Sequence, residues 1–172
     1  LAKTAVAGLG GVDPNAIEEL WHGLTPPYEP LFAWLEGRAE RPEGLVVAPF
    51  RPPMLSHPLD EEEFSRLDPA DFCAEWKWDG IRIEAVRELT PEGRRVVRLY
   101  SRTGEDITGS FPDLCEALIA EDAFVGALDG ELLVLRGGRV ESFNVLQQRL
   151  NRKAITPRLM QEFPAHIRAY DL

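Results

Sequence analysis

The chain has 172 residues and a formal net charge of −10; 44% of its residues are hydrophobic and 28% are charged. No apolar run approaches the roughly 20 residues that cross a bilayer, so this composition indicates a soluble globular protein and excludes a membrane-spanning one. Two cysteines are too few for a disulfide framework or a zinc site, so we expect a reducing, cytoplasmic location. The acidity disfavours a nucleic-acid partner, but residues 136–172 hold seven basic and three acidic side chains.

The N-terminal part of the sequence predicts two short helices. Asp13 and Pro14 are typical of a helix start, as cap and first helical residue, and Gly23 is expected to end this helix. A second helix is predicted over residues 28–36, where apolar residues share one face. Residues 41–58 are rich in proline and show no periodicity, which predicts a linker to the next part of the chain.

From residue 72 onward, apolar residues recur at every second position, which predicts β-strands. The predicted strands cover residues 72–78, 81–86, 95–101, 123–128, 131–135 and 167–172. Helices are expected to begin at Pro112, Ser142 and Thr156, and Gly137-Gly138 predicts a hairpin turn. Antiparallel strands interrupted by helices indicate an α+β fold.

Lys77 is one of only three lysines in a chain that has 16 arginines, and it lies in the stretch EWKWDGIR. On a strand, Glu75 and Asp79 would share its face, so an ordinary ion pair beside a hairpin is one interpretation. The functional interpretation uses a property that arginine lacks. A lysine ammonium that is desolvated or placed near other cations can lose its proton, and the free amine is a nucleophile. Because two carboxylates oppose this loss, the pattern favours a polyphosphate substrate that carries Mg²⁺.

Four motifs resemble those of the covalent nucleotidyltransferases. KWDGIR resembles the K-x-D-G-x-R motif, SRTG the R-x-G element, LDGE the D-G-E element and YDL the aromatic-D-aliphatic element. Arg102, Glu131 and Tyr170 of the last three follow Lys77 by 25, 54 and 93 residues. EWKWDGIR, SRTGEDIT, FPDL, LDGELL, LQQRLNRK and AYDL together resemble bacterial ATP-dependent DNA ligases, over about residues 48–172. The family's E-G element, its paired lysines and its C-terminal OB-fold are absent from this sequence.

The resemblance implies an antiparallel-sheet nucleotidyltransferase fold, the ATP-grasp-like adenylation domain of ligases, here incomplete and preceded by a short helical segment. Residues 59–172 would form its N-terminal portion, and residues 1–40 resemble the end of the family's helical DNA-binding domain. The chain begins at Leu1 without methionine and stops within a predicted strand. We therefore expect a piece of a longer protein that does not seal nicks by itself.

The resemblance also assigns roles around the lysine. Lys77 would attack the α-phosphate of ATP and form lysyl-AMP. Glu75 would contact the adenine amino group, unless it only pairs with Lys77. Tyr170 would stack on adenine, with a core tyrosine as the alternative.

Three further residues complete the implied nucleotide site. Arg82 and Arg102 would contact ribose, phosphate or the nicked strand, since guanidinium groups suit oxyanions. Glu131 would accept hydrogen bonds from the ribose hydroxyls and is a weaker candidate metal ligand. The alternative for Glu131 is an ordinary acid that follows an Asp-Gly turn.

The implied partners and cofactors follow from the same family. ATP and Mg²⁺ are the expected cofactors, and a monomer acting on nicked double-stranded DNA in repair, replication or recombination is expected. Arg149, Arg152 and Lys153 form a basic group that would touch DNA phosphates, or would only be a solvated helix end. The rival functions are an RNA ligase, an mRNA capping guanylyltransferase, and a non-catalytic remnant that binds nucleotide or DNA.

Overall fold

Three helices come first in the structure, a computed structural model that describes residues 2–43, 46–121, 124–150, 152 and 154–172. They are α1 (Ala2–Gly10), α2 (Pro14–Trp21) and α3 (Glu29–Leu35). Their apolar faces bury one another in a cluster that is separate from the rest of the core. Its buried members are Ala7, Ile17, Leu20, Leu24, Leu31 and Leu35.

The second of these helices begins as the sequence predicts. The Asp13 carboxylate accepts a hydrogen bond from the Asn15 amide at 2.7 Å, and the helix ends at Trp21, two residues before Gly23. The sequence analysis missed α1, whose two glycines lower its helix propensity. One of them has a packing reason, since a Cβ at Gly10 would lie 2.7 Å from Leu35 Cδ2.

An antiparallel sheet forms the larger part of the molecule. Its strands are β1 (Ile81–Leu89), β2 (Arg95–Ser101), β3 (Gly126–Arg136), β4 (Arg139–Val140) and β5 (Ala165–Asp171). β1 lies between β2 and β3, and β3 also pairs with β5 and, at its end, with β4. Helices α4 (Pro112–Ala120), α5 (Phe143–Leu146) and α6 (Pro157–Glu162) follow β2 and β4 in the chain. The predicted α+β fold with an antiparallel sheet is confirmed, and its core includes Ile83, Leu99, Phe111, Leu132 and Leu146.

β3 is one strand where the sequence predicts two. The prediction that Asp129-Gly130 separates a strand at 123–128 from one at 131–135 is wrong, and residue 123 lies outside the described residues. Gly130 does not form a turn; its lack of a side chain allows the backbones of β3 and β5 to lie close together. A Cβ there would lie 2.5 Å from the Arg168 carbonyl oxygen of β5, and the β3–β5 register shifts at this point.

Residues 72–78 were predicted as a strand, and that prediction is wrong. They form no regular element, and the sheet begins at Ile81. Alternation of apolar and polar residues does not supply a partner strand, and both sides of β1 are already paired with β2 and β3. Trp76 is 83% exposed and so does not pack, whereas Trp78 is half-buried under the Arg168 guanidinium at 5.4 Å.

Part of the predicted linker is packed on the sheet. We call residues 46–51 the strap. Ala48 takes a positive φ of 55°, which is unfavourable for a residue with a side chain, and Phe50 is buried against the sheet. The Tyr100 hydroxyl donates to the Ala48 carbonyl at 2.7 Å, and the Ala48 amide donates to Glu88 at 2.9 Å. These hydrogen bonds hold the strap against β1 and β2.

The remaining predicted turns and caps are close to those observed. Gly137 and Gly138 have φ of 56° and 76°, which confirms the hairpin turn. The Thr156 hydroxyl accepts from the Leu159 amide at 3.2 Å and caps α6, whereas the Ser142 side chain makes no capping hydrogen bond. Within the described part of the chain, every helix is too short or too polar to pass through a lipid bilayer.

Candidate functional site

Six residues predicted to bind or react with a nucleotide line one cavity of about 740 Å³. They reach it from five parts of the chain: the segment before β1, β1 itself, the turn after β2, β3 and β5. The sheet therefore brings together residues that are up to 95 positions apart in the sequence. The six are Glu75, Lys77, Arg82, Arg102, Glu131 and Tyr170.

Lys77 and Glu75 lie on the exposed loop at one wall of this cavity. Among the described residues neither side chain forms a hydrogen bond or an ion pair within 4 Å, so the interpretation of a simple Glu75–Lys77 ion pair is wrong. Both charged groups are open to a ligand. This is the state expected of residues whose partner is a substrate.

Arg102 lies at the tip of a tight turn that follows β2. The Ser101 amide donates to the Glu105 carbonyl at 2.8 Å, and the Gly104 amide donates to the Ser101 carbonyl at 2.9 Å. Gly104 has φ of 84°, a conformation that favours glycine. The turn thus fixes the backbone of Arg102 while its guanidinium faces the cavity without a partner among the residues described.

Arg82 is already held in place on β1. Its Nε and Nη2 donate to the two carboxylate oxygens of Asp129 at 3.0 and 2.6 Å, and Nη2 also donates to the Met54 carbonyl at 2.7 Å. The hydrogen bonds to Asp129 raise the pKa of Arg82. The sequence analysis did not assign a role to Asp129. Its position two residues before Glu131 on β3 was the available signal, since residues i and i+2 of a strand share a face.

Glu131 ties the lysine segment to the last strand. One carboxylate oxygen accepts from the Gly80 amide at 3.1 Å, and the other accepts from the Tyr170 hydroxyl at 3.0 Å. The backbone of Gly80 can lie this close to β3 because glycine has no side chain. A Cβ at this position would lie 2.3 Å from the Leu132 carbonyl oxygen. Burial and the hydrogen bond to Glu131 raise the pKa of Tyr170 to about 12, so the phenol remains a neutral donor.

The described residues contain no group of three or more histidine, cysteine, aspartate or glutamate side chains arranged to hold a metal ion. Glu131, the predicted weak metal ligand, already accepts one hydrogen bond on each oxygen. The side chains in the described ranges therefore do not build a dedicated metal site.

Glu84 is a buried carboxylate that the sequence analysis missed. It is 4% exposed on β1, and its oxygen accepts from the Arg51 amide of the strap at 2.6 Å. Burial raises the pKa of Glu84 to about 7, although the bond from Arg51 acts in the opposite direction. It borders a second cavity of about 430 Å³ that shares Glu75, Arg82 and Tyr170 with the first.

Glutamine at position 84 is expected to stabilise the protein above pH 7. A carboxyl with a raised folded pKa binds a proton in the folded state that the unfolded state has released, so stability falls as the pH rises from about 4.5 to 7. The loss of unfolding free energy that the buried Glu84 carboxylate causes above pH 7 is up to about 3 kcal/mol. Glu84→Gln should remove most of it and keep the bond from Arg51. Thermal unfolding of the full-length protein between pH 5 and 8 measures the effect.

Glu88→Gln is the matched control for that experiment. Glu88 lies on the same strand and also accepts from the strap, but it is paired with the Arg51 guanidinium at 2.8 Å and is more exposed. Its replacement should give no gain above pH 7. An unchanged pH dependence in Glu84→Gln would contradict the prediction.

The three residues predicted to contact DNA have different outcomes. Arg149 is 0% exposed, and the prediction that it touches DNA is wrong. Its guanidinium donates to both Asp113 oxygens at 2.6 and 2.7 Å and lies 4.8 Å from the Phe111 ring centre. Arg152 is exposed and donates to the Gln148 carbonyl, so its contact with DNA stays a prediction. Lys153 lies outside the described residues.

Comparison with known proteins places these motifs in a family. Residues 53–172 match the family described as "ATP dependent DNA ligase domain". "DNA ligase 1" of Korarchaeum cryptofilum is 36% identical over 170 residues, which are 98% of this chain and 30% of that protein. "Probable DNA ligase" of Koribacter versatilis is 40% identical over 121 residues, which are 69% of this chain and 20% of that protein.

One solved structure is also similar. The ligase domain from M. tuberculosis LigD is 32% identical with a TM-score of 0.41, and the match covers 56% of this chain and 27% of that one. The chain spans between a fifth and a third of the length of the two curated relatives named above. With the family matched over more than two thirds of its residues, this chain belongs to the ATP-dependent DNA ligase domain family.

Proposed function

We propose that this chain carries the adenylation site of an ATP-dependent DNA ligase, and that Lys77 is the residue to which AMP becomes attached. The single observation that supports this most is the shared cavity. Lys77 and Arg102, neither of which has a partner in the described part of the chain, lie in it with the Glu131–Tyr170 pair.

In the first step, the neutral Nζ of Lys77 attacks the α-phosphorus of ATP. A P–N bond forms, the P–O bond to pyrophosphate breaks, pyrophosphate leaves and the amine releases its proton to water. Arg102 would stabilise the charge that develops on the phosphate oxygens, and Arg82 would orient the nucleotide from its fixed position on Asp129. Glu75 would contact the adenine amino group, and Tyr170 would stack on the base.

Two further steps would join DNA. An oxygen of the 5′-phosphate at a nick attacks the phosphorus of lysyl-AMP, which frees Lys77 and gives a DNA adenylate. The 3′-hydroxyl then attacks the 5′-phosphate, a new phosphodiester bond forms and AMP leaves. The full-length protein, and not this chain alone, would complete these steps.

Mg²⁺ would enter with the phosphates of ATP, since the described side chains alone build no metal site. Bound there, it would neutralise phosphate charge. Glu131 is its one proposed protein ligand in this chain and would also accept from the ribose hydroxyls. No step above depends on a protein-held metal.

The wider setting is part of the same proposal. Residues 1–40 would end a helical DNA-binding domain, residues 41–58 would link it and residues 59–172 would begin the adenylation domain. The partner would be nicked double-stranded DNA, with Arg152 near a phosphate. We propose a cytoplasmic monomer that acts in DNA repair, replication or recombination.

Labelled nucleotides test the proposal and its rivals. Full-length protein is mixed with Mg²⁺ and ATP or GTP labelled at the α-phosphate, then denatured. We expect label from ATP only, released by acidic hydroxylamine as a P–N bond should be, and sealing of a nicked duplex. Label from GTP would indicate a capping enzyme, sealing of RNA alone an RNA ligase, and no label from either a non-catalytic remnant.

A further inference from the structure

The back of the Arg102 turn rests on two rings that do not line the nucleotide cavity. A Cβ at Gly104 would lie 2.9 Å from Phe50 Cδ1 and 3.1 Å from His22 Cε1, so the turn is packed directly against both side chains. Neither ring is part of the cavity lining that contains Arg102. Contact with the turn from behind, without contact with the cavity, is the arrangement expected of support residues.

Phe50 is fixed from several sides. It belongs to the strap and is 4% exposed, and its ring centre lies 5.5 Å from that of Tyr100, the residue before Ser101 at the start of the turn. The strap itself is held by the carboxylates of Glu84 and Glu88. A shift of the Phe50 ring is therefore opposed by hydrogen bonds to β1, and its position is transmitted to the Arg102 turn.

His22 connects this support to the N-terminal helices. It forms the C-terminal cap of α2, and its ring meets Phe50 edge-on at 4.8 Å with an interplanar angle of 82°. Its Nε2 is buried and forms no hydrogen bond within the described ranges of the chain, and it lies 3.6 Å from a carboxylate oxygen of Glu18. The contacts of the ring with Phe50 and with the backbone at Gly104 are apolar, so His22 acts on the Arg102 turn through its shape.

We infer that His22 and Phe50 are positioning residues for Arg102, so that the helical segment at the N-terminus sets how well the site binds the nucleotide phosphates. This inference rests on the proposed function. A positioned group that is displaced by about 1 Å can lose on the order of 100-fold of its effect, and the two rings pack on the turn that carries Arg102. The effect should therefore appear in nucleotide affinity and should require Arg102 itself.

A double-mutant cycle tests this in the full-length protein. His22→Ala should weaken ATP binding by about 5- to 10-fold when Arg102 is present and by less than about 2-fold in an Arg102→Ala background. Quenching of tryptophan fluorescence is a suitable measure of ATP affinity, because Trp76 and Trp78 line the cavity. Adduct formation at several ATP concentrations gives the KM in parallel. Equal weakening in both backgrounds would overturn the inference.

Tyr28→Ala is the matched control. It removes a ring contact from the same helical segment, the stack with Trp21 at 5.4 Å, and Tyr28 packs against the apolar cluster of the helices. ATP affinity should not change, and an effect equal to that of His22→Ala would mean that general loosening of the helices is responsible. Phe50→Leu, which keeps a large apolar side chain, repeats the test should His22→Ala fail to fold. Absence of any AMP adduct in the unaltered protein would instead refute the proposed function.

Discussion

Replacing Lys77 with arginine should abolish the proposed AMP adduct in the full-length protein, with a loss of at least about 10⁴-fold in the rate of adduct formation. Arginine keeps the positive charge and nearly the length of the side chain, so ATP should still bind within about 3-fold of its normal affinity. It cannot release its proton to become a nucleophile. Denaturing electrophoresis with labelled ATP measures the adduct, and fluorescence titration measures binding.

Lys3→Arg is the control for this experiment. Lys3 is paired with Glu18 in the helical segment and lies in no part of the nucleotide cavity, so its replacement should leave the adduct unchanged. A normal yield of adduct in Lys77→Arg would refute the assignment, and peptide mapping would then show which side chain carries AMP. Loss of both binding and adduct would indicate that the substitution disturbs the site and not the nucleophile alone.

The sequence could predict that the six site residues lie together, because the four motifs follow one another in the order found in the family. Arg102 follows β2, Glu131 lies within β3 and Tyr170 lies near the end of β5, and the family resemblance implies that these strands form one sheet. The supporting contacts were missed for two different reasons. Arg51 and Glu84 belong to no motif, whereas Asp129 belongs to the D-G-E element but was given no role. Asp129 holds Arg82, and the Arg51 amide of the strap reaches Glu84.

The wrong predictions have a common physical origin. Local pattern does not reveal which backbone lies next to a residue. Gly130 signals a turn by its local sequence but serves close approach to β5. Residues 72–78 alternate like a strand but pair with no strand among the residues that the structure describes. Arg149 appears to be part of a basic surface because its partner, Asp113, is 36 residues earlier in the chain.

Arg149 is expected to be a stability residue and not a DNA contact. Its guanidinium is fully buried and joins the start of α4, through Asp113 and the Ser110 carbonyl, to the Phe163 carbonyl just before β5. Burial by itself would raise the pKa of Asp113, but the hydrogen bonds from Arg149 and from the Ala165 amide hold it below the ordinary value. The Asp113 carboxylate therefore stabilises the folded protein fully at pH values above the ordinary aspartate pKa. This stabilisation is lost as the pH falls through the lowered pKa of Asp113 in the folded protein.

Breaking this pair should cost about 3–5 kcal/mol in the free energy of unfolding, measured by urea denaturation of the full-length protein. Asp113→Ala should cost more than Arg149→Ala. Loss of Asp113 leaves the fully buried Arg149 guanidinium without its ion pair, whereas loss of Arg149 leaves the Asp113 carboxylate, which keeps some contact with water. Arg152→Ala, a change at an exposed arginine three residues later, should alter stability by less than about 0.5 kcal/mol. It should instead reduce the salt dependence of binding to nicked DNA by about one unit of slope. The reverse pattern, a stable Arg149→Ala protein with weakened DNA binding, would mean that the buried arginine becomes exposed when DNA binds.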